Sequence, residues 1–159
     1  MADPTTILQF ATQQNTNLNA ALTKAQINLT AAQTAYAAAA KARDDAKTAL
    51  SKTVADMASL RAQMASAATP EDLAALLQKL QADITQSRQQ TGIIAVKERA
   101  VVAAKVVADG AAAEAQRLTA AVAASNTALA AATTDDQQRT ALKTRLSSPP
   151  LSTDRKSVV

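Results

Sequence analysis

Leu8, Asn15, Leu22, Leu29, Tyr36, Arg43, Leu50, Met57 and Met64 recur once per heptad through the first 64 residues. Three residues behind each runs a second row: Ala11, Leu18, Ala25, Ala32, Ala39, Ala46, Thr53, Leu60 and Ala67. Two rows at a 3.5-residue period hold one narrow stripe against a partner helix turn after turn, which is the seam of a coiled coil. Asn15, Arg43 and Thr53 are its only interruptions. Polar residues at single seam positions set register and helix number at some cost in stability, so Asn15 and Arg43 read as specificity devices rather than ligand contacts.

The pattern resets at Ser66-Ala67-Ala68-Thr69-Pro70-Glu71-Asp72. A residue before proline is pushed out of the helical region, so the first helix must stop by Ala68. Thr69 suits the cap of a new helix, Pro70 its first position, and Glu71 and Asp72 complement its positive end. Asp3-Pro4 offers the same start to the first helix. A second seam follows with Leu73, Leu80, Ser87, Ile94, Val101, Ala108, Ala115, Val122 and Leu129. Its companion row is more polar: Leu76, Asp83, Gln90, Lys97, Ala104, Ala111, Leu118, Ser125 and Ala132. Leu77 and Ile84 are expected to take over the stripe near the turn.

Two helices of similar length joined by a short turn fold back on each other. The spacing predicts a helix over 4–67, a turn at 68–69 and a helix over 70–133, paired antiparallel with facing numbers summing to about 137, Met57 near Leu80. At 1.5 Å per residue each arm is about 95 Å long. Thr133-Thr134-Asp135-Asp136 resembles a further cap, and Leu142 and Leu146 lie on one face of a short amphipathic helix over 134–148, either separate or continuing the second, that Pro149-Pro150 must stop. Residues 149–159 read as an irregular tail. The expected fold is all-α: a long antiparallel alanine-rich coiled-coil hairpin with a short C-terminal helix.

Composition agrees with this. The chain holds one Phe and one Tyr among 159 residues. Much of its apolar content is alanine, which buries little area at roughly 25 cal/mol per Å² but is the best helix former. Such a chain can zip helices together; it cannot fill a globular interior. With no Cys and no His, disulfides, thiolate nucleophiles, Cys/His zinc sites and imidazole catalysis are unavailable. The net charge of +4 is spread evenly: six basic and four acidic side chains over 1–69, six of each over 70–133, five and three beyond. No basic stripe with interleaved aromatics forms, so nucleic acid is not an expected partner. The opening Met1-Ala2-Asp3-Pro4-Thr5-Thr6 has no secretory pattern, and the charge-free run Pro4–Thr23 is too rich in Gln and Asn to span a membrane. The expected location is cytoplasmic.

Few residues remain for chemistry. Adjacent carboxylates at Asp44-Asp45, Glu71-Asp72 and Asp135-Asp136 point about 100° apart on a helix, so they cannot converge on one substrate atom. Gly92 and Gly110 sit in no phosphate-binding pattern and read as weak points of the second helix. Thr12, Thr23 and Thr34 lie eleven apart, a spacing that resembles the threonine row of helical antifreeze proteins; it stops at Asp45, and solvent-facing threonines account for it. No enzyme activity, metal, cofactor or small-molecule ligand is expected.

Two features point outward instead. Ile93, Val96, Val102, Val106 and Val107 place apolar side chains on sides of the second helix that a single partner helix cannot cover, so they are the candidate partner-packing residues. The charge-free run Pro4–Thr23 is also expected beside the nearly charge-free Ala115–Thr134, where further protein would dock. The last six residues, Asp154-Arg155-Lys156-Ser157-Val158-Val159, resemble the conceptual translation of a sequencing-library adapter, GAT CGG AAG AGC GTC GTG, whose next codon is a stop. On that reading residues 154–159 are an artefact and the natural protein is longer.

The expected function is therefore a structural or interaction module, a spacer, stalk or assembly arm of a larger, truncated protein or complex. Its partners would be protein, by self-association or through the missing C-terminal portion. The rival expectation is an amphipathic protein that coats lipid or granule surfaces, which requires a wide apolar face.

Overall fold

The computed structural model describes residues 4–147, with side chains from residue 6 onward. Two helices, α1 (Pro4–Ala65) and α2 (Pro70–Ser147), pack against each other as a helical hairpin, and the described residues contain no strand. Both open on proline, whose missing N–H costs nothing at a first helical position.

The connection is Ser66–Thr69. At the end of α1 the Ser66 N–H donates to the Gln63 carbonyl at 3.1 Å and the Ala67 N–H to Met64 at 3.4 Å, tightening the last turn. The Ser66 hydroxyl donates to the same Gln63 carbonyl at 3.1 Å, so α1 ends at Ala65 instead of residue 67. Across the connection the Asp72 N–H donates to Thr69 Oγ1 at 3.1 Å, and that hydroxyl donates to Asp72 Oδ2 at 2.7 Å. Thr69 thus satisfies one of the free amides of α2 while orienting an acidic group at its positive end. No described residue has a positive φ, so the chain turns without glycine.

The hairpin comprises two compact units. The first unit joins the start of α1, through Ala25, to α2 from Ala115 onward. Its buried residues are Ala25, Ala115, Leu118 and Val122, with Leu8, Leu18, Leu22 and Leu129 half-buried around them. Residues 137–147 are exposed throughout, including Leu142 and Leu146.

The second unit, Gln26–Glu114, contains the connection. Here Ala32, Thr53, Val101 and Ala108 are buried, and Leu29, Leu50, Leu60, Leu80 and Ile94 are half-buried. An ion pair between Lys47 Nζ and Glu98 Oε1, 3.0 Å apart, links the two helices. Leu76 and Ile84 turn inward near the connection, whereas Leu77 stays exposed.

Burial follows the heptad rows. In α1 every residue of both rows is buried or half-buried; in α2 the single exception is Leu73, at 37% exposure. The polar interruptions find partners. Thr53, 5% exposed, donates its hydroxyl to the Ala49 carbonyl at 3.2 Å. Arg43 lies against Asp44 at 2.7 Å, and Asn15 accepts from the Asn19 amide at 3.3 Å. Gln90 Oε1 is the one buried side-chain oxygen or nitrogen without a partner among the described residues.

A second boundary departs from expectation. α2 does not stop at residue 133; it runs through Thr133-Thr134-Asp135-Asp136 to Ser147, so the residues assigned to a short C-terminal helix are its last turns. Thr133 and Thr134 donate their hydroxyls to the carbonyls of Leu129 and Ala130 at 2.8 and 3.0 Å, and Asp135 accepts from Arg139 at 2.9 Å. Bonds of this kind are compatible with an unbroken helix. Asp3, residue 148 and the tail 149–159, including residues 154–159, lie outside the described residues.

Candidate functional site

The outer surface of α2 between residues 93 and 110 carries a concentration of exposed apolar side chains; Ile27 and Val54 of α1 are also exposed in the second unit. Ile93 is 49% exposed, Val96 60%, Val102 65%, Val106 66% and Val107 63%. The seam residues interleaved with them, Val101 and Ala108, are buried at 9% and 8%. At 100° per residue, burying the seam necessarily turns the intervening valines outward.

These five residues do not form one face. Ile93, Val96 and Val107 share one flank of α2. Val102 lies toward the other, and Val106 stands between them beside Arg99. The first flank also holds Ala100, Ala103 and Gly110, all exposed. Together the six residues recur at intervals of three and four, the period of the seam itself moved one position around the helix. Sequence reasoning passed over these three because attention to bulky residues misses the small members of a stripe. The 3–4 spacing was the available signal.

Two shallow, open depressions flank the valines. Gln89, Gly92, Ile93, Val96 and Lys97 line one; Ala95, Glu98, Arg99, Val102 and Ala103 line the other. Both are open to solvent and neither encloses a polar constellation. A methyl group added at Gly92 or Gly110 would meet nothing within 4 Å, so neither glycine is required by a close approach inside the hairpin.

Three of the carboxylates considered for chemistry form local ion pairs. Asp45 pairs with Lys41 at 2.7 Å, Asp44 with Arg43 at 2.7 Å and Asp135 with Arg139 at 2.9 Å. Lys105 pairs with Asp109 at 2.6 Å. The hydrogen bond and charge of Asp109 hold the Lys105 ammonium above its ordinary value, opposed by slight desolvation, with a smaller favourable interaction from Tyr36 of α1. Among the described residues no group of three or more Asp or Glu side chains is placed to hold a metal ion, and no helix is long and apolar enough to cross a membrane.

Thr12, Thr23 and Thr34 each donate to the carbonyl four residues earlier, at 2.8, 3.0 and 2.9 Å. Their hydroxyl protons are spent inside α1. The charge-free Pro4–Thr23 and the nearly charge-free Ala115–Thr134 fall in the same compact unit, and Ile7 and Phe10 stand exposed there at 51% and 63%.

No protein-family model, curated protein or solved structure matches the chain.

Proposed function

We propose that this chain is a non-enzymatic structural module: an antiparallel, alanine-rich coiled-coil hairpin that serves as a spacer or assembly arm within a larger protein or complex. The observation that carries this reading is the match between burial and heptad phase, with every seam residue but Leu73 at least half-buried over both helices. A fold that commits its interior to a seam one side chain deep transmits position and presents long outer faces.

Antiparallel pairing is supported by residues that meet across the second unit. Lys47 with Glu98 and Tyr36 with Lys105 have numbers summing to 145 and 141. Leu60 and Lys79, which sum to 139, line a common depression with Asp56 and Asp83. A facing sum near 140, rather than 137, follows from coiled-coil geometry: in an antiparallel pair the first row of one helix faces the second row of the other. Leu60 then faces Leu80, and Met57 faces Asp83.

The surface-coat reading needs a wide, continuous apolar face. Arg99 stands between the two valine flanks, and half of the buried residues are alanine (Ala25, Ala32, Ala108 and Ala115), which favours the spacer.

The test uses the full chain. With Leu60→Cys and Leu80→Cys together, mild oxidation should give a crosslinked species of monomer mass, because the pair lies within one hairpin. Addition of anionic vesicles should leave helicity unchanged and the protein unbound. Crosslinks found only between chains would overturn the hairpin; vesicle binding with a rise in helicity would favour the coat.

A further inference from the structure

We propose that two copies of this chain pair through the outer flank of α2, antiparallel, with Ile93, Val96, Ala100, Ala103, Val107 and Gly110 of each copy forming a second seam. The proposal deepens the spacer reading and rests on it, since α2 must keep its first seam on α1 while offering the second to its counterpart.

The spacing comes first. These six residues alternate by three and four positions and are all exposed, so over 18 residues, about 27 Å of helix, α2 carries a complete seam that nothing in its own chain covers. The stripe is also bounded. The positions that would continue it are Gln86 and Gln89 before and Glu114 and Arg117 after. No charged residue falls within it.

The sizes identify the occupant. When two helices pair antiparallel, the first row of one faces the second row of the other. Laid against its own reversed copy, the stripe places Ile93 opposite Gly110, Val96 opposite Val107, and Ala100 opposite Ala103. Each pair has numbers summing to 203, so one twofold axis, level with the Val101–Val102 peptide, generates all three layers and their mates. Large meets absent, medium meets medium, and small meets small. An isologous contact demands this kind of self-complementarity, whereas an unrelated helix would not.

Gly110 is the second observation. Glycine is the least favourable residue in a helix interior after proline, and a Cβ at this position would touch nothing within 4 Å inside the hairpin. The fold of one chain gives no reason for it. An Ile93 side chain arriving from a second copy does. The same pairing sets Arg99 beside Val106 of the other copy, where its aliphatic stem can cover the valine and its head can stay in water. Val102 remains outside the contact.

These 159 residues contain no cysteine, so paired substitutions report cleanly. Ile93→Cys and Gly110→Cys in one chain lie 17 residues apart on one helix, about 25 Å, and cannot bond to each other internally. The doubly substituted protein should form a covalent dimer on mild oxidation, while each single variant stays uncrosslinked. By sedimentation equilibrium, Val96→Lys and Ala100→Lys should each raise the dimer dissociation constant about tenfold or more, and Val102→Lys should leave it unchanged. A chain that sediments as a monomer at every concentration overturns the proposal. So does a dimer indifferent to Val96→Lys and Ala100→Lys, or crosslinking by Ile93→Cys alone, which would indicate a parallel pair. The intrachain Leu60–Leu80 crosslink is independent of these outcomes, so loss of the dimer leaves the hairpin standing, and loss of that crosslink removes both.

Discussion

The two apolar stripes of α2 differ in how far they are covered. Where α2 faces α1 in the second unit, the buried residues are Val101 and Ala108, and the other helix contributes Ala32 and Thr53. On the outer flank the branched side chains of Ile93, Val96 and Val107 are about half to two-thirds exposed. Inside, the most deeply buried side chains are small or medium, with the larger Leu29, Leu50, Leu60, Leu80 and Ile94 half-buried around them. Outside, the branched side chains alternate with Ala100, Ala103 and Gly110 and have no cover within the hairpin. The hairpin's seam therefore relies on length and regularity, and its outer flank leaves branched side chains exposed.

The contrast breaks most visibly with a charge. Val101→Asp places a carboxylate at a buried seam position and should cost about 3 kcal/mol. Val102→Asp, one residue on, should change stability by no more than about 0.5 kcal/mol. Urea unfolding followed by circular dichroism at low protein concentration separates the two. Equal effects would mean that the stripes are not distinct.

Volume gives the next largest effect. Ala108→Leu overfills a seam layer and should cost about 1–3 kcal/mol. Ala103→Leu, on the open flank, should be neutral by the same measurement, since leucine is nearly as good a helix former as alanine.

Backbone freedom separates the stripes in a third way. Gly92→Ala and Gly110→Ala should each stabilise the monomer by about 1 kcal/mol, as neither new methyl group meets a neighbour. Thermal melts of dilute protein would show both gains. A loss at either position would reveal a packing constraint on the outer face that the hairpin does not contain.

The smallest effect is electrostatic. The folded-state pKa of Lys105 lies above 10.5, so its pair with Asp109 favours folding below that pH, and the contribution disappears as pH rises through the folded value. Asp109→Asn should bring the Lys105 titration, followed by NMR, down toward 10.5. The pair is fully exposed, and its removal should leave the melting curve at neutral pH unchanged.

Most of this fold was legible because one signal repeats. Leu22, Leu29 and Leu50 in α1, and Val101, Ala108 and Ala115 in α2, are inward in the structure for the same reason that they are periodic in the sequence. The turn was legible because Thr69-Pro70 is both a barrier to one helix and a start for the next, and the Thr69–Asp72 hydrogen bonds realise it. The end of α2 was not. Thr133-Thr134-Asp135-Asp136 has the composition of a cap, but no proline forces a break there. The threonine hydroxyls are satisfied within the helix, so the capping option goes unused. In the proposed antiparallel pairing the facing sum moves from 137 to about 140, because antiparallel layers cross from row to row. At the outer site, Ile93, Val96 and Val107 were visible as bulk, but Ala100, Ala103 and Gly110 are informative only through their spacing.

Whether α1 and α2 of one chain lie side by side comes down to a single distance. Spin labels at Ser51→Cys and Gln89→Cys sit on exposed positions of the second unit whose numbers sum to 140. In a hairpin they should lie about 20 Å apart, set by the spacing and diameter of two packed helices. Diluting the labelled protein with unlabelled chain removes distances between copies. A distance near 57 Å, about the length of 38 residues of continuous helix, would contradict the account.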